Sequence, residues 1–392
     1  MKTDLFNHLD KVKEDMFKTA DYIFDNPETD CKEYKAMETL TDYLQKNGFK
    51  VEKGIGGIET AFRAVYENGS GGPSLGLLCE YDALENIGHA CGHHMQGPAI
   101  CYAASAFKEV YKDKPYKLVV YGTPAEETTG GKIIMIENGC FKDIDVALMF
   151  HGGPTTTTDI KCMALSPFKV IFHGKGAHAA IQPESGRSAL DALLLVFNGI
   201  EFLREHVKED TRMHYTITDA GGPDNVVPSE AVGTFSLRSY NRSYLDTVVE
   251  RFKNIIKGAS LMTETTYEII PEREFDSKIP VLKLNDLLMK NAELVNAPTI
   301  RPPREKTGST DFGNVMYNVP GSCIRVAFVP EGTSPHSKEY LDAGKTEAAH
   351  KAALLASKIL SATCYDLVSN ESILEEIKEE FSKKKNEMEK NY

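Results

Sequence analysis

The sequence contains no long uninterrupted apolar segment. No stretch approaches the roughly 18 apolar residues that a membrane span needs, so we expect no transmembrane helix and no membrane partner. The first eight residues, Met1 to His8, have neither the apolar core nor the small-residue cleavage site of a secretory signal. We therefore expect a soluble chain that is folded from near residue 1 and located in the cytoplasm.

Paired cysteines are also missing. The eight cysteines are scattered singly, and none forms a C-x-x-C pair. In a chain of this length, such scatter is typical of reduced thiols and not of a disulfide framework. This pattern again favours a cytoplasmic location.

Positive charge is in deficit. Lysine and arginine number 45 against 57 aspartates and glutamates, which gives a formal net charge of −12. Nucleic-acid binding requires a basic face, so we expect no nucleic-acid partner. The one basic run, Lys383-Lys384-Lys385, is interleaved with glutamates and indicates a solvated helix. Long-range attraction by an acidic protein favours a substrate with a cationic side chain.

The length of 392 residues exceeds what one hydrophobic core usually serves, so we expect two domains. The sequence shows no repeat of domain-building length and no low-complexity linker between two halves. The two domains are therefore expected to be nested or tightly joined.

Alternating helical and strand-like segments predict a parallel-type α/β sheet in the first part of the chain. Apolar positions at helical spacing predict two opening helices, at 4–24 and 32–48. Further helices are predicted near 96–111 and 131–138. The short apolar runs with strand character are 60–66, 74–79, 117–121 and 145–150.

The pattern changes at about Phe168. Strand-like runs at 168–173, 211–218 and 231–239 surround helices near 188–206 and 243–257, as in a smaller α+β domain. The first pattern resumes with 281–296, 324–328 and 346–368. We predict an α/β fold whose larger domain, residues 1–166 and 279–392, has a mostly parallel mixed sheet flanked by helices. The smaller α+β domain, residues 167–278, is inserted into it.

Polar clusters follow three of the predicted strands directly. Glu80-Tyr81-Asp82 follows the second strand, Glu126-Glu127 closely follows the third, and His151 follows the fourth. In open α/β sheets ligands bind in the crevice beyond the carboxyl ends of the strands. We therefore expect these side chains to lie close together.

Thiol, imidazole and carboxylate groups are concentrated in these clusters. In Cys91-Gly92-His93 the thiol and imidazole flank a glycine, and Glu126 and Glu127 are adjacent, so that one can ligate metal while the other handles protons. A Cys-Gly-His tripeptide alone is also typical of a buried structural cysteine, and adjacent acids are common on surfaces. The context after buried-looking strands favours function.

Five candidate metal donors emerge. They provide nitrogen, oxygen and sulfur ligands, too many for one open tetrahedral site but suited to two ions with a shared ligand. These residues are Cys91, His93, Glu127, His151 and His336. The thiolate suits zinc, whereas imidazole and carboxylate also accept manganese or cobalt, so the donor set leaves the metal open.

At these residues the sequence resembles the dinuclear metallopeptidase superfamily of aminoacylases and glutamate carboxypeptidases. It is most similar to the amidohydrolase branch, which includes aminobenzoyl-glutamate hydrolase, auxin-conjugate hydrolases and β-alanyl-lysine dipeptidase. The resemblance covers nearly the whole chain. The segments that carry it are 80–84, 88–93, 122–127, 174–179, 225–228 and 308–313.

The resemblance implies a role for each of these site residues. Cys91 would bridge or border two divalent ions, Glu126 would be the general base, and Asp82 would orient the site from outside the ligand shell. The remaining ligands would be His93, Glu127, His151 and His336. The broader superfamily has His-x-Asp after its first strand, whereas this chain has Glu80-Tyr81-Asp82, so the usual first ligand is absent.

For the inserted domain the resemblance implies a lid that also forms a homodimer. His178 would polarise the scissile carbonyl, reaching the site of a neighbouring subunit. Asn225 and Arg238 would hold the free carboxylate of the substrate, for which a guanidinium fork is geometrically suited. A turn and a surface salt bridge are the structural alternatives for these two residues.

The expected activity is metal-dependent hydrolysis of the amide bond in a small-molecule substrate, a dipeptide or an N-acyl or aminobenzoyl amino acid. Two alternatives stay open at this point. Cys91 would serve as nucleophile in a cysteine hydrolase, which leaves Glu126 and Glu127 without a role. A non-catalytic protein that captures acylated amino acids would not need Glu126.

Overall fold

The computed structural model describes residues 1–305 and 307–390, and the chain divides into two compact units. Unit 1 comprises Met1–Lys161 and Lys278–Asn386, and unit 2 comprises Cys162–Ser277 with the residues from Glu387 onward. The first junction precedes the boundary expected at residue 167. The reason is that the first strand of unit 2 begins at Ala164, before the apolar run that starts at Phe168.

Eleven helices and eleven strands lie in the described residues. The helices are α1 Lys2–Asp25, α2 Tyr34–Lys46, α3 Gln96–Val110, α4 Gly131–Glu137, α5 Ala189–Arg204, α6 Arg242–Thr263, α7 Leu282–Leu294, α8 Phe312–Asn318, α9 Lys338–Asp342, α10 Glu347–Ser369 and α11 Glu371–Lys390. The strands are β1 Lys50–Lys53, β2 Phe62–Asn68, β3 Ser74–Cys79, β4 Tyr116–Gly122, β5 Val146–Gly153, β6 Thr157–Thr158, β7 Ala164–His173, β8 Arg212–Asp219, β9 Glu230–Ser239, β10 Thr266–Pro271 and β11 Gly321–Ala327.

Unit 1 is built on a seven-stranded mixed sheet in the order β1-β2-β4-β3-β5-β11-β6. The four central strands, β4, β3, β5 and β11, run parallel, and the outer pairings are antiparallel. The predicted α/β class with a mostly parallel mixed sheet is confirmed. Since the central strands are parallel, their carboxyl ends lie at one edge of the sheet.

Helix α10 lies inside unit 1. It is the one helix in the described part of the chain that is long and apolar enough to cross a membrane, yet 72% of its most apolar window is buried. Its buried positions are rich in small side chains, among them Ala349, Ala353 and Ala356, which allow α1 and α3 to pack closely against it. These features are those of a core helix.

Unit 2 contains a four-stranded antiparallel sheet in the order β10-β7-β9-β8. Buried and partly exposed residues alternate along β7, so one face of the sheet forms the core. Helices α5 and α6 cover that face, and Leu193, Phe235 and Phe252 belong to the core. Unit 2 therefore has a hydrophobic core of its own.

Candidate metal centre

The carboxyl ends of the parallel strands bring the predicted site residues together. Glu80 directly follows β3, and Glu126 lies four residues after the end of β4. His151 lies within β5, which continues to Gly153 instead of ending at residue 150. His336 lies in the loop that follows β11.

Cys91 and His93 stand just before α3. Gly92 between them has a φ of 83°, a left-handed conformation that glycine adopts without strain. Donor atoms of Cys91, His93 and His151 all lie within 4.8 Å of one another. Cys91 Sγ is 3.6 Å from His151 Nε2. This first group offers one sulfur and two nitrogen donors.

A second group consists of Cys91, Glu127 and His336, again within 4.8 Å. His336 Nε2 is 3.2 Å from Glu127 Oε1. His336 is held in a left-handed conformation, with a φ of 65°, and its amide donates to the Ala90 carbonyl at 3.0 Å. All five predicted donors therefore converge in unit 1, and Cys91 belongs to both groups.

Hydrogen bonds fix the orientation of the imidazoles. His93 Nδ1 lies 3.1 Å from Asp82 Oδ1, and the other oxygen of Asp82 accepts from the Glu127 amide at 3.0 Å. His151 Nδ1 lies 2.6 Å from the Gly152 carbonyl. Nδ1 of each ring is placed to donate in these contacts, so each Nε2 faces the cluster and can ligate a metal when it carries no proton.

The residues fit a metal ion. Within the part of the chain that the structure describes, His93 Nε2 and Glu127 Oε1 are buried and form no hydrogen bond, because their contacts with Glu80 Oε2 at 3.4 Å and His336 Nε2 at 3.2 Å lack the geometry of one. Buried polar atoms without partners are costly unless a ligand satisfies them. Burial, and secondarily the nearby Arg325, lower the pKa of His151 to about 3, so this imidazole is neutral and able to ligate at neutral pH.

Glu126 lies beside the donors and points into a carboxylate-rich corner. It can share an ion with His93 and Glu127, and it also lies within 4.8 Å of Glu80 and Asp311. Burial, together with the charges of those two carboxylates, raises the pKa of Glu126 well above its usual range. A carboxyl group with a raised pKa is suited to accept and return a proton near neutral pH.

The loop that carries Glu126 is tightly closed. Ala125 has a φ of 58°, which is uncommon for a residue with a side chain. A Cβ at Gly131 would lie 2.0 Å from the Pro124 carbonyl oxygen, so only glycine permits α4 to begin there. The backbone of this loop therefore holds the two glutamates in fixed positions.

The sequence interpretation missed Lys132. Its ammonium is fully buried, 2.6 Å from Glu80 Oε1 and 2.7 Å from Asp311 Oδ1. The other oxygen of Glu80 accepts from Gln96 at 2.7 Å. Burial acts to raise the pKa of Glu80, but Lys132, His93 and His151 together outweigh it and hold that pKa at about 2. The sequence signal for this residue was slight, a lysine after two glycines behind the acidic pair.

The other predicted residues lie in unit 2. The segments around His178 and Asn225 are adjacent, with the Ala179 amide donating to the Asn225 carbonyl at 3.0 Å. Both residues are exposed. Arg238 lies on β9, half-buried, and burial lowers the pKa of its guanidinium. The structure therefore brings His178 and Asn225 together within unit 2.

Comparison with known proteins decides the family. The description "Peptidase family M20/M25/M40" fits residues 76–361, most of the chain. The chain belongs to this peptidase family. The resemblance seen in the sequence is confirmed, and as an M20 peptidase the chain is a metal-dependent amide hydrolase.

Relatives of this M20 peptidase cover it almost end to end. The p-aminobenzoyl-glutamate hydrolase of Escherichia coli has a subunit that is 32% identical, over 92% of this chain and 90% of the relative. The Xaa-Arg dipeptidase of Mus musculus is 30% identical, over 97% of this chain and 92% of the relative. The two relatives are named for substrates of different charge.

Solved structures share the M20 fold. An aminobenzoyl-glutamate utilization protein from Klebsiella pneumoniae has a TM-score of 0.71 at 21% identity, covering 92% of this chain and 98% of that one. A dinuclear metal binding peptidase from Bacillus subtilis has a TM-score of 0.72 at 15% identity, covering 92% and 99%. The family resemblance includes one departure, Glu80 in the place of the usual histidine ligand. Here both oxygens of Glu80 are engaged, by Lys132 and by Gln96.

Proposed function

We propose that this chain hydrolyses the amide bond of a dipeptide or of an N-acyl or aminobenzoyl amino acid with a free carboxylate. The observation that carries the proposal is the pair of donor groups that share Cys91, with Glu126 beside them. The names of the relatives support the substrate class, because aminobenzoyl-glutamate and Xaa-Arg dipeptides both place an amide next to a carboxylate.

Two divalent ions, zinc or manganese and alternatively cobalt, are assigned to the two groups. His93 and His151 would hold one ion, Glu127 and His336 the other, and Cys91 would bridge or border both. Asp82 supports this assignment from outside the ligand shell, since its two oxygens fix the His93 ring and the Glu127 backbone. When bound, such ions supply Lewis-acid activation of water and of the amide carbonyl.

Glu126 is assigned as the general base. Its raised pKa suits the transfer of a proton from water and the later return of that proton to the leaving amine. Cys91 does not suit a nucleophile, because burial raises the pKa of its thiol to about 12. An activated cysteine needs the opposite shift. No covalent intermediate is required.

Unit 2 is assigned the lid and dimerisation roles, over the expected residues 167–278. The Ala180 amide donates to His178 Nδ1 at 3.2 Å, so Nδ1 is the acceptor and Nε2 carries a proton. That N–H is a donor for a scissile carbonyl. Asn225 and Arg238 are assigned to the substrate carboxylate, and the active form is a homodimer in the cytoplasm. Light scattering tests the dimer, which is expected at about twice the chain mass of 43.4 kDa.

The decisive experiment uses the purified chain, stripped of metal and reloaded with zinc or manganese, against dipeptides and N-acyl amino acids. Glu126→Gln is compared with Glu85→Gln, an exposed glutamate in the turn before Cys91. Metal-dependent cleavage that is lost in Glu126→Gln but kept in Glu85→Gln supports the proposal. Tight binding without cleavage would favour a binding protein. Cleavage that survives chelation but not thiol alkylation would favour a Cys91 nucleophile.

A further inference from the structure

The row of polar side chains at the carboxyl edge of the sheet continues beyond the metal donors. In the sheet order, β3 is followed by β5 and then by β11. Arg325 on β11 is the register partner of His151 on β5. Register partners on parallel strands point to the same face and stand about 4.8 Å apart. Arg325 is therefore the immediate neighbour of a proposed ligand, on the side away from Glu80.

A second arginine joins it. Arg304 Nε lies 2.6 Å from Asp159 Oδ1, and Arg325 Nε lies 3.2 Å from Asp159 Oδ2. Lys278 Nζ donates to the Asp159 carbonyl at 2.8 Å. Two guanidinium groups therefore share one carboxylate, which leaves an excess of positive charge at this end of the row.

The guanidinium groups keep hydrogen-bonding capacity. Both use Nε toward Asp159, and their terminal amino groups take no part in those two contacts. The side chains of Arg325 and Arg304 are 22% and 39% exposed, whereas Asp159 is 13% exposed. Solvent or a ligand therefore reaches the arginines more easily than the carboxylate. A guanidinium fork in this state binds a carboxylate through two parallel N–H donors.

The two arginines lie next to the proposed metal ligands, since Arg325 is the register partner of His151 on the neighbouring strand. The net charge of −12 acts from the whole surface and is screened over about 8 Å at physiological salt. Beside Arg304 and Arg325 the local positive charge therefore outweighs the overall charge. A cationic substrate side chain placed here would be repelled.

We propose that Arg304 and Arg325 form an anion subsite that binds a second carboxylate of the substrate, so that the enzyme prefers acidic amides over basic ones. This inference rests on the proposed function and names its substrate class. It reverses the expectation drawn from the net charge, which favoured a cationic side chain. In this respect the chain would differ from a dipeptidase that acts on Xaa-Arg.

The test compares substrates that differ in one charged group. N-benzoyl-glutamate is compared with N-benzoyl-glutamine and N-benzoyl-arginine, and N-succinyl-alanine with N-butyryl-alanine, which places the second carboxylate in the acyl half. The benzoyl series places the charge in the amino-acid half of the substrate, and the succinyl–butyryl pair places it in the acyl half. In at least one of these two halves, we expect the metal-loaded enzyme to have a kcat/KM about tenfold or more higher for the acidic substrate than for its neutral counterpart. The half that shows the preference locates the subsite.

Variants separate recognition from support of the fold. Arg325→Gln and Arg304→Gln are expected to bring the acidic-to-neutral ratio of kcat/KM toward one, because losing a guanidinium group affects the acidic substrate more than the neutral one. Arg301→Gln is the matched control, because Arg301 belongs to the same segment as Arg304 and pairs with Glu331 instead. A purely structural role would lower the rates for acidic and neutral substrates alike and leave the ratio unchanged.

The outcomes distinguish the two proposals. If kcat/KM for the neutral or basic amides equals that for the acidic amides in both comparisons, the anion subsite is wrong, whereas the proposed hydrolase activity stands. If no member of the panel is cleaved, the proposed function fails for these substrates. Calorimetric binding of N-benzoyl-glutamate, N-benzoyl-glutamine and the succinyl–butyryl pair to wild type and Arg325→Gln then decides the subsite. Equal affinities within both pairs would overturn it.

Discussion

Lys132 carries a positive charge in the interior of unit 1, between two carboxylates and close to a third. Its ammonium group pairs with both Glu80 and Asp311. The acids Glu80, Glu126 and Asp311, whose oxygens lie within 4.8 Å of one another, would repel one another strongly without it. The lysine therefore stabilises the corner in which Glu126 lies.

Lys132→Met is expected to destabilise unit 1 by about 3–5 kcal/mol, because it removes the partner of buried carboxylates. Urea unfolding measures the change. Lys142→Met, at an exposed position, is the matched control and is expected to change the free energy of unfolding by less than about 0.5 kcal/mol. If Lys132→Met lowered the free energy of unfolding by less than about 1 kcal/mol, the carboxylates would have become protonated and would no longer need a cation.

Asp82 gives a second prediction at this scale. Its two oxygens fix the His93 ring and the Glu127 amide, so Asp82→Ala should loosen two donors at once. We expect zinc affinity to fall by about 10- to 100-fold, measured by competition with a chromophoric chelator. Asp113→Ala, on an exposed loop, serves as the control. Unchanged affinity in Asp82→Ala would contradict the proposed arrangement of ligands.

The sequence predicted the members of the candidate site better than their surroundings. Cys91, His93, Glu127, His151 and His336 were recognisable because thiol, imidazole and carboxylate groups are concentrated in the segments between the predicted strands and the next helices. Lys132 and Arg325 were not. A buried lysine or arginine looks like a surface residue in a sequence, and only the neighbouring strands and helices show that it is enclosed.

At the level of elements, α7 begins without a capping side chain of its own. Val281 precedes it, and the carboxylate of Glu380 on α11 accepts from the Leu282 and Lys283 amides at 3.0 Å each. An anion at a helix N-terminus satisfies free amides and complements the helix dipole. Helix α11 therefore supplies the N-terminal cap of α7 through Glu380.

Glu380→Ala is expected to lower the free energy of unfolding by about 1 kcal/mol, the usual cost of losing a cap. Thermal unfolding followed by circular dichroism measures it. Glu379→Ala is the control, because Glu379 is exposed on the same helix and its substitution removes the same charge. An equal effect of the two changes would show that helix charge, and not the cap, is responsible.

The long elements could be predicted from the sequence, and the short ones could not. The helix predicted at 96–111 is α3, Gln96–Val110, and the strand predicted at 74–79 is β3, Ser74–Cys79. Strand β1 is Lys-Val-Glu-Lys and lies at a sheet edge, so it has no apolar run, and β6 has only two residues. Such elements form because a neighbouring strand offers hydrogen bonds.

For the whole molecule, the buried Glu33 couples stability to pH. Its side chain is fully buried, accepts from Thr60 Oγ1 at 2.9 Å, and burial followed by the Asp82 charge raises its pKa to about 7. Between its usual pKa of 4.5 and about 7, the folded protein holds a proton that the unfolded chain has released. Stability contributed by this group is therefore complete below pH 4.5 and is lost as the pH rises through 7.

The expected loss is at most about 3 kcal/mol across that window. Urea unfolding of wild type and Glu33→Gln at pH 5 and pH 8 measures it. Glu33→Gln is expected to lose less stability between the two values, because its amide stays neutral. Glu59→Gln, at an exposed position, is the control. Parallel pH profiles for wild type and Glu33→Gln would contradict the assigned pKa.

The insertion of unit 2 has a consequence for synthesis on the ribosome. Strand β11 pairs with β5 but begins 168 residues after β5 ends. At the usual 5–20 residues per second, roughly 8 to 34 s separate the two strands. During that interval unit 2 has emerged with its own core, whereas β5 still exposes an unpaired edge. His336 emerges later still, so the nascent chain lacks the complete set of metal donors until that residue has left the ribosome. Loading with metal would then be a late step, which follows the folding of unit 2.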